Sequence, residues 1–497
     1  MALTGLAAAA RVLRRSSWSR HARARFALPP EVVLPSSKGP LAATRCEGAE
    51  SCAQTDGSVA SPLLLRALHS LVESTQPFAP HPSGSAPHVS RSFSPVVPSQ
   101  LAAGLCTSAA SSVPLPVQHG ASTMRAAVMR EVGAPLRVEL LRIPRPQAGE
   151  VLIKTRACGV CHTDLHVMRG HVAFPAPCVL GHEVSGEVVD HGAGTDAATI
   201  ARLPVGSRVV AAFIMPCGSC FFCTHGQEDI CSTFFAFNRL HGTLYDGHTR
   251  LFSAHPPASP LAMYSMGGLA DYCVVPATAV APLPPALPLP EAAVMGCALF
   301  TAFGALRHAG DMRAGETVAV VGAGGVGGSC VQVARAMGAA SIIAVDVGED
   351  KLQRCRALGA THTVNAAKED VVEAIRAITG GRGVDVAVEA LGRAETFGQT
   401  VHAVRDGGRA VMVGIAAAGT TAAVDITRLV RRNIKIIGSY GAKARSDLPV
   451  VVALAAAGRV DVVSSVTERY SLEDADIAYC KLEKGNVLGR AIVDMSL

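Results

Sequence analysis

Charge is scarce in this chain. Asp, Glu, Lys and Arg make up 17% of its 497 residues, against 49% hydrophobic. Long uninterrupted apolar runs are also missing. No stretch of about 18 residues escapes a charge, a proline or a glycine, so no membrane span is expected. There is no internal repeat, which excludes a solenoid or propeller. The net charge of +6 looks like a basic excess, but it sits in one place. Residues 1–123 hold ten Lys/Arg and five Asp/Glu, and the rest holds 35 and 34. A nearly neutral body has no electrostatic footprint for nucleic acid.

The first thirty residues contain six Arg and no Asp or Glu in an Ala- and Ser-rich background. That composition fits an organellar transit peptide. Arg density favours the mitochondrion over a plastid; initiation at Met124 would instead leave the protein in the cytoplasm. From about 31 to 123, Ser, Pro and Ala dominate without a sustained period, so a disordered spacer is expected.

Fifteen cysteines are present. In an intracellular enzyme they point to metal or free thiols rather than disulfides. Cys217, Cys220, Cys223 and Cys231 follow a Cys-x2-Cys-x2-Cys-x7-Cys spacing. Four sulfurs close the coordination shell of a tetrahedral Zn²⁺, so this is expected to be a structural site. Cys158, Cys178, Cys273, Cys330, Cys355 and Cys480 are read as small buried hydrophobes. Cys46, Cys52 and Cys106 fall in the leader.

The body changes character along its length. Residues 124–298 are rich in short apolar runs between Gly and Pro turns and read as β-rich. Residues 299–437 alternate strands with helices, the pattern of a parallel sheet covered on both faces. Residues 438–497 return to mixed elements and end in the strand-like RAIVDM. Within the α/β region, Gly322, Gly324 and Gly327 form G-x-G-x-x-G directly after TVAVV and at the start of a helix. The first Gly permits the turn, the second admits a pyrophosphate, and the third packs helix against strand. Asp346 ends the next strand, nineteen residues after Gly327. A carboxylate there accepts both ribose hydroxyls and repels a 2′-phosphate, which selects NAD over NADP.

A second ligand set lies in CGVCHTDLHVMRG, GHE (181–183) and GCALFTAFGAL. Two Cys and one His from separate segments would leave one coordination position open. Spacing alone does not choose between Cys158 and Cys161, single out Cys297, or rank His162, His166 and His182.

These motifs together resemble the zinc-dependent alcohol dehydrogenases of the medium-chain dehydrogenase/reductase superfamily, from about 124 to the C-terminus. The resemblance implies an α/β architecture: a GroES-like β-rich catalytic domain built from both ends of the body, with a Rossmann doubly wound parallel sheet inserted. It implies two Zn²⁺ per chain and NAD. Cys161, His182 and Cys297 match the catalytic zinc ligands, Glu183 the acid beside the metal, and Asp164 the carboxylate that orients the histidine. Thr163 matches the hydroxyl that takes the alcohol proton, and His166 the relay histidine. Thr301 matches a residue near the nicotinamide, and His162 a phosphate contact. Lys351, Arg393 and Arg490 match basic cofactor contacts. The expected partner is a small alcohol or aldehyde, with no nucleic acid and no membrane, and the expected assembly is a homodimer.

HGTLYDGHTRLF, at 241–252, is similar to a run in the longer branch that includes the glutathione-dependent formaldehyde dehydrogenases. Those carry an Arg four residues after the last lobe cysteine. Phe235 stands at that position here, with Arg239 nearby. The run FFAF suggests an apolar mouth and an uncharged substrate. Use of S-hydroxymethylglutathione is one alternative reading, and a non-catalytic NAD-binding relative is another. The latter would be expected to lose its ligands while keeping its glycines.

Overall fold

The computed structural model describes residues 122–497. The targeting and spacer expectations, and the leader cysteines, lie outside the described residues. Three sheets organise the body.

The parallel sheet is built from six strands, in the order His362–Asn365, Ser341–Asp346, Thr317–Val321, Val384–Glu389, Val404–Met412, Lys435–Gly438. All of its pairings are parallel. This is the doubly wound order in which the first strand lies centrally. Its strands are near-continuous β-branched and small apolar residues because both faces are covered. Successive residues serve opposite faces: Val318 and Val320 join one core, Ala319 and Val321 the other. The order of strand addition reverses between Thr317–Val321 and Val384–Glu389, which run parallel, and their carboxyl ends open a crevice there.

Helix boundaries follow local chemistry. Asp370 accepts from the Glu373 amide at the start of Val371–Ile378, and Asp425 from the Arg428 amide before Ile426–Arg431. Glu349–Leu358 stops at Gly359, whose φ of 117° few other residues tolerate.

The β-rich part holds a five-stranded and a seven-stranded sheet. In the larger one, Glu150–Val160 pairs antiparallel with Val184–His191 and, on its other side, with Arg490–Asp494. The last strand thus returns to the first part of the body, with Ala491 opposite Val160. That return delivers Arg490 to the crevice. The helical run Glu291–Ala309 is long and apolar enough to cross a membrane by length and composition, but most of it is buried inside the body.

Of the six cysteines read as buried hydrophobes, five are buried and Cys480 is half-buried, its thiol 3.8 Å from Asp476. Cys480 lies on the outer turns of helix Ala475–Glu483, where solvent reaches one side.

Candidate active site

One cleft of about 400 Å³ runs along the crevice. Its walls include Cys161, His162, Thr163, His166, His182, Cys297 and Thr301 at one end. Gly324, Asp346, Lys351, Arg393 and Arg490 also line it. Twelve of the residues singled out from sequence therefore share one cavity. Asp164, Glu183, Gly322 and Gly327 stand behind its wall.

The metal-ligating end comes from three segments. Cys161 caps helix His162–Met168, His182 precedes strand Val184–His191, and Cys297 caps helix Ala298–Gly304. Their ligand atoms, with a Glu183 oxygen, lie within 4.8 Å of one another, and all four residues are buried. Cys158 is not in this group; its sulfur packs beneath Gly181. Two soft thiolates and an imidazole suit zinc.

The imidazole is aimed by its neighbours. His182 Nδ1 is 3.0 Å from Asp164 Oδ1, which leaves Nε2 facing the cysteines. Asp164 is itself fully buried and fixed by the Gly181 amide at 3.1 Å and the Tyr479 hydroxyl at 2.9 Å. Burial alone would push His182 down, but Asp164 and Cys161 raise it to about 9. Cys161 is drawn well below the usual thiol range, first by its hydrogen bond from Cys297, while that same bond raises Cys297. Arg490, 5% exposed, forms an ion pair with Glu183. Its side chain also lies over Gly325, so it joins the metal end to the glycine turn.

Two hydroxyl and imidazole groups border the cysteine. Thr163 Oγ1 is 3.6 Å from Cys161 Sγ. His166 faces the cleft, and its Nδ1 is 3.3 Å from His171 Nδ1. Burial, then the His171 charge, lower the His166 pKa from its ordinary value.

The glycine turn has room for a phosphate. Gly322 has a φ of +100°, and a Cβ at Gly327 would sit 1.7 Å from the Gly322 carbonyl. A Cβ at Gly324 would meet open space, so the cleft comes down to bare backbone there. Asp346 holds the turn through one oxygen, 2.8 Å from the Ala323 amide, and takes the Gly348 amide with the other at 2.9 Å. These residues fit a nicotinamide dinucleotide.

The four lobe cysteines also bring their sulfurs within 4.8 Å of one another. The amides of Cys217, Cys220 and Phe234 point at lobe sulfurs from 3.3–3.4 Å. Burial opposes the Cys220 thiolate, but hydrogen bonds from Cys223 and Ser232 bring it down to about 5. This donor set fits a closed zinc site.

Sequence reasoning missed Tyr479, His171, and the ring cluster of Phe213, Tyr264 and Tyr440 beside His182. None carries a motif, and Tyr479 is 315 residues from the aspartate it holds.

Two family models match the chain: the alcohol dehydrogenase GroES-like domain over residues 147–285 and zinc-binding dehydrogenase over 325–457. An alcohol dehydrogenase of Geobacillus stearothermophilus is 33% identical over 376 residues, 75% of this chain and 99% of that one. The S-(hydroxymethyl)glutathione dehydrogenase of Saccharomyces cerevisiae is 33% identical, covering 73% and 94%. The crystal structure of benzyl alcohol dehydrogenase from Acinetobacter calcoaceticus aligns with a TM-score of 0.69 at 31% identity, covering 75% and 99%. The chain belongs to the zinc-binding alcohol dehydrogenase family of the medium-chain dehydrogenase/reductase superfamily, oxidoreductases built on zinc and a nicotinamide cofactor.

Proposed function

We propose that this chain moves a hydride between an alcohol and NAD, with the aldehyde or ketone as the other partner, and that each chain holds two zinc ions. One observation carries the reading. The buried Cys161–His182–Cys297 group and the Gly324–Asp346 cofactor end share a single cleft.

When bound, zinc supplies Lewis-acid polarisation of the alcohol oxygen and NAD supplies the hydride acceptor. Cys161, His182 and Cys297 hold the metal, and Asp164 keeps the His182 ring in its ligating orientation. Thr163 takes the hydroxyl proton at Oγ1. His166 receives it and passes it outward toward His171 and solvent. Phe213 and Thr301 keep water from the reacting end. Lys351, Arg393 and Arg490 present positive charge to the cofactor, and His162, whose pKa burial lowers, offers it a neutral imidazole. Asp346 favours NAD, because a 2′-phosphate would meet its carboxylate in a confined space. Cys217, Cys220, Cys223 and Cys231 hold the second zinc and fix the lobe.

The assembly is proposed to be a homodimer, and the N-terminal segment a mitochondrial targeting sequence. Glutathione-adduct use is the weaker substrate reading, because Phe235 stands where a carboxylate-binding arginine is needed.

The test is a panel of primary and secondary alcohols and aldehydes with NAD and with NADP, with and without S-hydroxymethylglutathione. NAD-linked turnover of free alcohols is expected. A zinc-loaded protein that turns over none of them would overturn the reading.

A further inference from the structure

A second cavity lies at the opposite end of the parallel sheet from the catalytic crevice. It encloses about 420 Å³, close to the 400 Å³ of the cleft. The crevice opens at the carboxyl ends of the strands. This cavity sits at the amino ends, where Val384–Glu389 and Val404–Met412 begin. Its walls are Arg376, Arg382, Arg405, Asp406, Arg428 and Arg432, completed by Gly381 and Val404. The near-neutral body thus holds a local surplus of positive charge.

Four pieces of chain bring the guanidiniums together. Arg376 is in the last turn of helix Val371–Ile378. Arg382 lies in the glycine turn before Val384–Glu389, and Arg405 is the second residue of its strand. Arg428 and Arg432 stand four residues apart on one face of helix Ile426–Arg431 and its cap, opposite the exposed Ile426 and Val430.

Local pairing accounts for part of this charge. Arg376 pairs with Glu373 at 3.0 Å, Arg405 with Asp385 at 2.5 Å and Arg432 with Asp406 at 2.9 Å. Arg428 Nη2 also caps the His402 carbonyl at 3.4 Å, in the last turn of helix Ala394–Ala403, where a cation is favoured. Arg382 and Arg428 have no carboxylate partner among the described residues. Arg428 Nε is shut off from solvent without a hydrogen bond. Like charges gathered at one cavity repel each other, and an anion among them removes that repulsion.

The ligand class follows from the walls. Arginine forks match phosphate oxygens two at a time. Several forks around one space call for several phosphates on one small molecule. Among the described residues Val404 is the one sizeable apolar side chain in the lining, and no aromatic ring joins it, so no shelf is present for a nucleobase.

We propose that this cavity binds a compact polyphosphate anion, recognised through its phosphates alone. Arg382 and Arg428 are the anchors. Arg376, Arg405 and Arg432 add N–H groups already held in place by their carboxylates, and Arg432 neutralises Asp406. The site is separate from the dehydrogenase chemistry and stands whether or not that reading does.

The experiment titrates inorganic tripolyphosphate into the full chain by calorimetry, with NAD in excess so that the glycine turn is occupied. Orthophosphate and ATP are compared at equal ionic strength, and zinc content is assayed after each titration. Tripolyphosphate is expected to bind at least about 10-fold more tightly than orthophosphate, and less tightly as salt rises. ATP should match tripolyphosphate within a few-fold. Arg382→Ala should weaken binding about 10- to 100-fold, the range of a lost charge-assisted hydrogen bond. Arg382→Lys should keep part of the affinity, and Arg382→Glu should abolish it. Arg382 is exposed on its turn, so an unchanged melting temperature without ligand is expected in all three. Arg428→Ala should weaken binding as well. Tripolyphosphate binding no tighter than orthophosphate would overturn the proposal. So would wild-type affinity in Arg382→Ala, displacement by NAD, or heat that follows zinc release. ATP binding 10-fold tighter than tripolyphosphate would overturn recognition by phosphates alone.

Discussion

At the scale of single residues, the sequence named the reacting groups but not what aims them. Cys161, His182 and Cys297 were legible only through the resemblance, because spacing could not separate Cys161 from Cys158. The structure separates them by direction: one sulfur faces the cluster and the other the core beneath Gly181. Tyr479 could not be read at all, since a hydrogen bond across 315 residues leaves no local pattern. It has a consequence for metal binding. Asp164→Asn or Tyr479→Phe loosens the group that orients His182, and zinc affinity is expected to fall about 10- to 100-fold for the aspartate change and less for the tyrosine. Competition with a chelating dye measures it; unchanged affinity in Asp164→Asn would remove Asp164 from that role. The proton path gives a pH test with a defined sign. The His166 pKa is lowered by burial and then by His171, so its neutral, proton-accepting form persists below the usual histidine range. Alcohol oxidation should therefore hold as pH falls to the ordinary histidine pKa and decline only below it. His171→Gln removes one lowering charge and should move that acid limb to higher pH. His166→Gln should slow the reaction most at low pH and recover partly with added imidazole, whereas Thr163→Ala should be slower still and insensitive to buffer. Equal, buffer-insensitive losses in both would sink the relay.

At the scale of elements, the strand–turn–helix of the cofactor site was read from alternation and glycine spacing, and it folds as read. The reason is local: Gly322 needs its φ of +100°, and Gly327 leaves no room for a side chain. What spacing did not reveal is that Asp346 also braces the turn through the Ala323 and Gly348 amides. Asp346→Ser should thus do two things. It should relax the NAD preference, measured as the ratio of kcat/KM with NAD and NADP, and it should raise KM for NAD itself. A wild-type enzyme that uses both cofactors equally would contradict the assignment. The cysteine lobe was legible from spacing alone, because four thiols in fifteen residues have few other uses. The lobe is tied to the body through Glu228 and Arg445. Cys220→Ala is expected to release one zinc and loosen the lobe, seen as faster proteolysis between residues 217 and 239, while Cys161→Ala keeps the fold and loses activity. The turn Phe234–Arg239 reads from its phenylalanines as an apolar mouth. Composition gave its phenylalanines, but a π-helical turn rotates Arg239 inward, and no sequence period announces that.

At the scale of the whole molecule, the chain closes on itself. Arg490–Asp494 joins the strand Glu150–Val160 laid down more than 300 residues earlier, and Arg490 bridges Glu183 and the glycine turn. Alternating strands and helices implied a parallel sheet, but not which edge stays free, since strand order is set by crossover packing rather than by sequence position. Among the described residues the sheet has two edges, His362–Asn365 and Lys435–Gly438, and the latter pairs only with Val404–Met412. Beside it, helix Ile426–Arg431 leaves Ile426 73% and Val430 71% exposed. An unpaired edge flanked by exposed β-branched residues invites pairing with an identical edge, because a two-fold axis there would continue the sheet and cover both side chains. The proposed homodimer should use this edge. Sedimentation of the full chain should give about twice the 51.1 kDa chain mass. Ile426→Asp with Val430→Asp should shift it to monomer, since two carboxylates per chain would meet their symmetry mates across the axis. A double variant that stays dimeric would move the interface elsewhere, and a monomeric wild type would remove the dimer altogether.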